Sequence, residues 1–290
     1  MNTTVIIATR NRARSLETTL QHLCELDPTP PIVVVDNAST DATADIAFDA
    51  ARRGGTSIKY VALDRNEGAV ARNEGVKLAI TPYIAFSDDD SWWEADALAQ
   101  AEQILDENEN VGLLAGRTLV GPENLPDPVN AALAHSPLGY SPDLPGPSIM
   151  GFLACAAVVR RDAFEAVGGF SKVLEFVGEE TLLAMDLASA GWQLCYAESV
   201  IAHHHPFPHR PDSDARAGRE LRNRTLTALM RRPIGVCARS GVDLTSKVLQ
   251  GHADPHTLWD TVTRVPGALR KRRTMPESVE ENVRRLEQEG

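Results

Sequence analysis

Short apolar runs alternate with helical spacings along the first part of the chain. Residues 4–8, 32–35, 58–63 and 83–86 are four such runs, rich in Val and Ile. The first, second and fourth predict strands buried on both faces, as in a parallel sheet, and the third, with Lys59 in it, reads simply as a strand. Between them, Leu16, Leu20 and Leu23 recur at helical spacing, and Pro28, Pro30 and Pro31 end that helix. Ser39 or Thr40 can cap a second helix, with Asp41 and Asp45 favourable near its start. Gly54-Gly55 would stop it, and residues 66–75 open a third helix. Strand and helix in alternation predict an α/β fold of three layers around a mostly parallel central sheet.

The second half is less regular. Residues 94–105 predict a helix, residues 111–116 and 152–159 predict strands, and residues 160–164 open a short helix. Between Gly121 and Pro147 lie seven prolines, which predict a surface loop with little regular structure. Glu179-Glu180 precedes a helix that turns Leu182, Leu183, Met185 and Leu187 inward. Residues 193–196 read as an edge strand, and residues 200–206 end in His203-His204-His205. The boundary of the α/β body is expected at residues 212–216. That gives a body of residues 1–215 and a mainly helical extension of residues 216–290.

Charge sharpens this division. The net charge of −11 separates into −17 for residues 1–215 and +6 for residues 216–290. An acidic body argues against nucleic acid as the main ligand. In the basic part, Arg216, Arg219 and Arg222 recur every three residues, and residues 270–273 are all basic. They are expected either to rest on anionic lipid at the inner face of a membrane or to pack as a solvated helix on the acidic body. No apolar run approaches the roughly 20 residues of a membrane span, and no signal peptide is expected. Cys24, Cys155, Cys195 and Cys237 are far apart with no CxxC pair, so free thiols in a reducing, cytoplasmic setting are expected.

The fourth apolar run ends in Asp88-Asp89-Asp90. Three adjacent acids repel one another and lose solvation if buried. A hard cation such as Mg²⁺ or Mn²⁺ relieves both problems, and ligands of open parallel sheets sit at the carboxyl ends of strands. A metal site holding a phosphorylated ligand is therefore one expectation, and an acidic turn capping the next helix is the other. Trp92 and Trp93 follow the acids, either as a pocket wall or as core.

With these motifs in place, residues 4–205 resemble the family 2 glycosyltransferases, an inverting group with the GT-A fold. The resemblance rests on the order of Val5 to Arg12, Asp36-Asn37-Ala38-Ser39-Thr40-Asp41, Asn66-Glu67-Gly68 with Ala71-Arg72-Asn73-Glu74-Gly75, Asp88-Asp89-Asp90, Gly168-Gly169-Phe170 and Glu179-Glu180. It implies a GT-A domain that transfers a sugar from a nucleotide-diphosphate donor, UDP- or dTDP-linked, to an acceptor hydroxyl. The acceptor would be a glycan, a lipid-linked glycan or a small molecule. Thr9, Arg10, Asn11, Asp36, Asn66, Gly68, Arg72, Asp88 and Asp89 would hold the nucleotide-sugar. Asp90 would bind Mn²⁺ or Mg²⁺ with His203, and His205 second; a histidine-only zinc site is the lesser alternative. Glu180, or its neighbour Glu179, would be the general base. Asp36 can equally cap its helix, Gly68 would let backbone approach a ligand, and residues 121–150 with Phe152 would face the acceptor. A nucleotidyltransferase, or a nucleotide-sugar binder without turnover, are the other function classes.

Overall fold

The expected two-sided burial is visible in β1. Val5 and Ile7 enter one core with Leu16, Leu20 and Leu23, while Ile6 enters the other with Val33, Val76 and Phe164. This computed structural model describes residues 1–53, 57–206 and 213–289. In chain order the elements are β1 (Thr3–Thr9), α1 (Ala13–Cys24), β2 (Ile32–Asp36), α2 (Thr43–Arg53), β3 (Ile58–Ala62), α3 (Ala71–Leu78), β4 (Tyr83–Asp88) and β5 (Ser91–Trp93). Next come α4 (Ala97–Glu107), β6 (Val111–Val120), β7 (Leu125–Pro126), α5 (Pro128–Ala134), β8 (Ala157–Arg160), α6 (Arg161–Val167), α7 (Glu179–Ser189) and β9 (Gln193–His204). Four helices follow: α8 (Ser213–Arg231), α9 (Ile234–Leu249), α10 (Pro255–Arg270) and α11 (Glu277–Glu289).

The sheet order is β3-β2-β1-β4-β8-β6-β9-β5, with β7 on β6. Strands β3, β2, β1 and β4 run parallel, as do β6 and β9. β8 is antiparallel to both its neighbours, and β5 is antiparallel to β9. Helices cover both faces, giving the expected three-layer α/β/α fold.

Several boundaries differ from the sequence expectation. The proline-rich stretch contains β7 and α5, because Asp127 caps that helix by accepting from the Val129 N–H (2.9 Å) and Pro128 stands at its first position. The helix expected from residue 94 starts at Ala97, since residues 91–93 pair with β9 instead. The two late strand segments are one strand, whose register against β6 shifts between Gly116 and Arg117. Gly54-Gly55 and Asp212 lie outside the described residues.

The basic extension is folded onto the body. Leu226, Met230 and Ala268 pack with Val173, Leu174 and Leu182, and Val279 and Val283 pack with Met150 and Met185. Arg231 forms a bidentate pair with Asp186, and Arg232 binds Glu280 and Glu287. Of the stripe expected to meet lipid or to pack on the body, Arg222 is buried, while Arg216 and Arg219 are exposed. Arg222 is 4% exposed and donates to Asp260 (3.1 Å) and the Leu174 carbonyl (3.2 Å), while Arg216 and Arg219 line a cavity of the body. α8 runs without a break through the expected boundary at residue 215.

Candidate active site

Parallel strands aim their carboxyl ends at one edge of the sheet. At that edge lies a cavity of about 710 Å³, walled by the ends of β1 and β4, residues 66–72, Glu175, Phe176, His204 and α8. Of the expected nucleotide-sugar residues, Thr9, Arg10, Asn66, Gly68, Arg72, Asp88 and Asp89 line it.

The three aspartates diverge. Asp88 receives a hydrogen bond from the buried Arg72 guanidinium. Burial alone would lower the Arg72 pKa, but Asp88, Glu179 and Glu180 raise it further. Asp89 turns back toward β1, where Thr9 Oγ1 donates to its carboxylate (2.8 Å) and Thr19 Oγ1 to its carbonyl (2.9 Å). Burial, then the Asp90 charge, pushes the Asp89 carboxyl up to about 7. Asp90 lies 3.6 Å from Arg12 and 3.4 Å from His204 Nε2. Asp88, Asp90 and His204 each offer one ligand atom, and these atoms all fall within 4.8 Å of one another. Two carboxylates and an imidazole are a donor set that suits Mn²⁺ or Mg²⁺.

The histidine expectation is corrected here. β5 and β9 pair Trp92 with His203 and Ser91 with His204. Side chains alternate along a strand, so His203 and His205 share the Trp92 face and His204 alone faces the acids. The ring nitrogens of His203 are engaged by Asn124 (2.9 Å) and Glu94 (2.8 Å). That imidazole holds the Glu94 carboxyl below its usual range. His205 packs on Trp92, with ring centres 4.5 Å apart. Trp92 and Trp93 are core residues.

Asp36, Asn11 and Gly68 make contacts within the protein. Asp36 accepts from the Ser39 N–H (2.8 Å) and the Tyr60 hydroxyl (2.6 Å) and does not cap α2, whose Thr43 N–H donates to Asp41 (3.1 Å). Asn11 accepts from the Thr40 N–H (2.7 Å). Gly68 has φ +62°, and a Cβ there would meet the Glu175 carbonyl at 2.8 Å, so the close approach is to backbone. Asn37, which the sequence reading passed over, takes a cavity position. It accepts from the Glu67 N–H (2.9 Å) and donates to the Gly68 carbonyl (3.2 Å). Phe152 is core.

Glu179 and Glu180 open α7 after a strained turn in which Glu175, Val177 and Gly178 all have positive φ. For a β-branched residue such as Val177 this conformation is unfavourable and must be held from outside. Asn223 of α8 does so: its side-chain amide donates to the carbonyls of Leu174 (3.1 Å), Phe176 (2.9 Å) and Val177 (2.7 Å). Glu179 is 1% exposed, and its Oε2 is buried without a hydrogen-bond partner, as is Arg72 Nε. Burial, then Glu180, pushes the Glu179 carboxyl up to about 8. Glu180 is partly exposed and is also raised, chiefly by burial, against the pull of Arg72 and Arg216. Asn223→Ala should release the turn. It is expected to lower unfolding free energy by about 1–3 kcal/mol, measured in urea, with faster proteolysis near residue 177.

A sequence model described as Glycosyl transferase family 2 matches residues 4–168. A pre-mycofactocin glycosyltransferase of Mycobacterium tuberculosis is 30% identical over 210 residues, covering 70% of this chain and 42% of that protein. The chain spans less than half the length of the curated relatives it matches. Among solved structures, the mannosyltransferase PcManGT from Pyrobaculum calidifontis, in complex with GDP-Man and Mn²⁺, aligns with a TM-score of 0.63 at 20% identity. The alignment covers 98% of this chain and 78% of that one. S. aureus TarS 1-349 in complex with UDP-GlcNAc gives 0.62 at 16% identity, covering 97% and 84%. At these identities the structural likeness establishes the fold alone.

Proposed function

The chain belongs to glycosyl transferase family 2 and has a GT-A-type fold, and from that premise we propose that it is an inverting glycosyltransferase with Glu180 as general base. The observation that carries the reading is the convergence of Asp88, Asp90 and His204 on one cavity, with Arg216 and Arg219 across it. These three residues would hold Mn²⁺ or Mg²⁺. The ion, when bound, supplies Lewis-acid neutralisation of a donor diphosphate. A UDP- or dTDP-linked sugar is the proposed donor; the GDP-Man and UDP-GlcNAc of the two structural neighbours belong to the same chemical class.

The protein's own groups account for the rest. Arg216 and Arg219 place cationic guanidinium groups beside the departing phosphates. Arg72 fixes Asp88 and compensates the charge of the acid pair. The Glu180 carboxylate takes the proton of the acceptor hydroxyl as that oxygen bonds to the anomeric carbon. The carbon–phosphate-oxygen bond breaks on the opposite face, and the nucleoside diphosphate leaves. A single displacement with one base inverts the anomeric centre. Glu180 suits this role better than Glu179, because Glu179 is buried away from any acceptor.

A thermal-shift screen of UDP, dTDP and GDP, each with and without Mn²⁺, tests the proposal. One diphosphate with Mn²⁺ should raise the apparent stability by about 3 kcal/mol at a hundredfold excess over Kd. Asp90→Asn should remove the Mn²⁺-dependent part. No shift with any diphosphate would end the donor reading, and release of pyrophosphate in turnover would move the chain to the nucleotidyltransferases.

A further inference from the structure

We propose that a second cavity, of about 700 Å³ between α7, α8, α9 and α11, binds the acceptor, and that this acceptor is an uncharged alcohol bearing an apolar group, such as an aryl or alkyl glycoside. The inference rests on the transferase reading above and names its acceptor class.

Position comes first. Gly178 and Thr181 stand on the wall of this cavity, one on each side of Glu179-Glu180 in sequence. Glu180 itself feels Arg72, Asp88 and Arg216, all of which line the donor cavity. Neither glutamate lines either cavity, but the positions on both sides of the pair in sequence line the second one. α8 is their shared partition. Its Arg216 and Arg219 face the donor side, while Glu220, Arg224 and Thr227 face the second cavity, as helical rotation of about 100° per residue allows. Arg216 Nε donates to Glu220 (3.0 Å), joining one rim to the other.

The lining chooses the ligand. Met150, Met185, Val283 and Leu286 give the cavity an apolar floor drawn from separate segments of the chain, and methionines adapt to varied apolar shapes. The charged residues on the wall cancel. Arg224, Arg232 and Arg239 balance Glu220, Asp243 and Glu287 in formal charge. Arg224 is paired with Asp243, and Arg232 grips Glu287 (2.6 and 3.0 Å) and Glu280. A phosphate-bearing carrier would compete with the carboxylates that already hold Arg224 and Arg232, whereas a neutral glycoside meets an apolar floor and leaves those pairs intact. The volume falls in the range of about 300–1,000 Å³ typical of small-molecule sites.

Saturation-transfer NMR on the full chain, with Mn²⁺ and the diphosphate found by the screen, tests this. The probes are the phenyl β-glycosides of glucose, galactose, mannose and N-acetylglucosamine. The expected result is saturation of phenyl protons for at least one probe. Affinity should fall on the order of tenfold in Val236→Glu and in Leu286→Glu, which place a charge against the apolar group. Both positions are partly exposed, so two independent variants guard against one failing to fold. The diphosphate thermal shift should persist in both. With that shift intact, the inference is overturned if no phenyl glycoside binds, if both variants bind as the wild type does, or if phenyl phosphate binds in preference. A wild type with no diphosphate shift fails at the transferase reading itself, a different and separately visible result.

Discussion

Glu180→Gln is expected to lower kcat by about 10²–10⁴-fold, the usual worth of a positioned general base. The substitution keeps the size and removes the proton acceptor, so nucleotide affinity with Mn²⁺ should stay within about twofold. Glu179→Gln serves as the comparison. If it carries the larger loss in kcat, the roles of the two neighbours are reversed. The pH profile gives an independent check. A base acts in its deprotonated form, and burial raises the Glu180 carboxyl above its ordinary value. The rate should therefore climb as pH rises through a value above the ordinary glutamate range, and this limb should vanish in Glu180→Gln. A profile already flat at mildly acidic pH in the wild type would argue against the assignment.

Arg231→Met is expected to be the most damaging substitution for stability. Arg231 and Asp186 are 5% and 7% exposed and face each other in bidentate geometry. Arg231 also donates to the carbonyls of Met230 (3.0 Å) and Lys271 (2.7 Å), so one side chain joins α7, α8 and the end of α10. Removing it strands a buried carboxylate, which typically costs about 3–5 kcal/mol. Arg273, 3.8 Å from the same carboxylate, offers partial relief, so about 3 kcal/mol is expected. Urea unfolding measures the loss, and the double substitution Arg231→Met with Asp186→Leu should recover much of it, because no charge is then left unpaired. Equal destabilisation of the single and double variants would show that packing, not the ion pair, holds these helices together. Because α7 carries Glu179 and Glu180, the pair also bears on the position of the proposed base.

Much of the fold was legible because its signals are local. The buried runs at β1, β2 and β4 needed only residue type and length, and the breaks between them needed only proline and the polar turn residues. The acid triplet marked the end of β4 for the same reason. The proline-rich segment misled because proline was read as a breaker, although at the first turn of α5 it removes only an N–H that has no helical partner. The histidines mark the limit of this kind of reading. Alternation along residues 203–205 is a local property, but which face meets the acids depends on the register of β9 against β5, more than a hundred residues earlier in the chain.

The sequence by itself determined the α/β order, the strand-end acids and the two neighbouring glutamates, all properties of short stretches governed by side-chain period and size. The tertiary structure alone decided that His204 joins Asp88 and Asp90. It also packed a basic helix on the body, with Arg216 and Arg219 beside the cavity, and let Asn223 fasten the turn before Glu179. Those outcomes depend on contacts between segments far apart in the chain, set by strand register and helix docking, and no local pattern of residues encodes either.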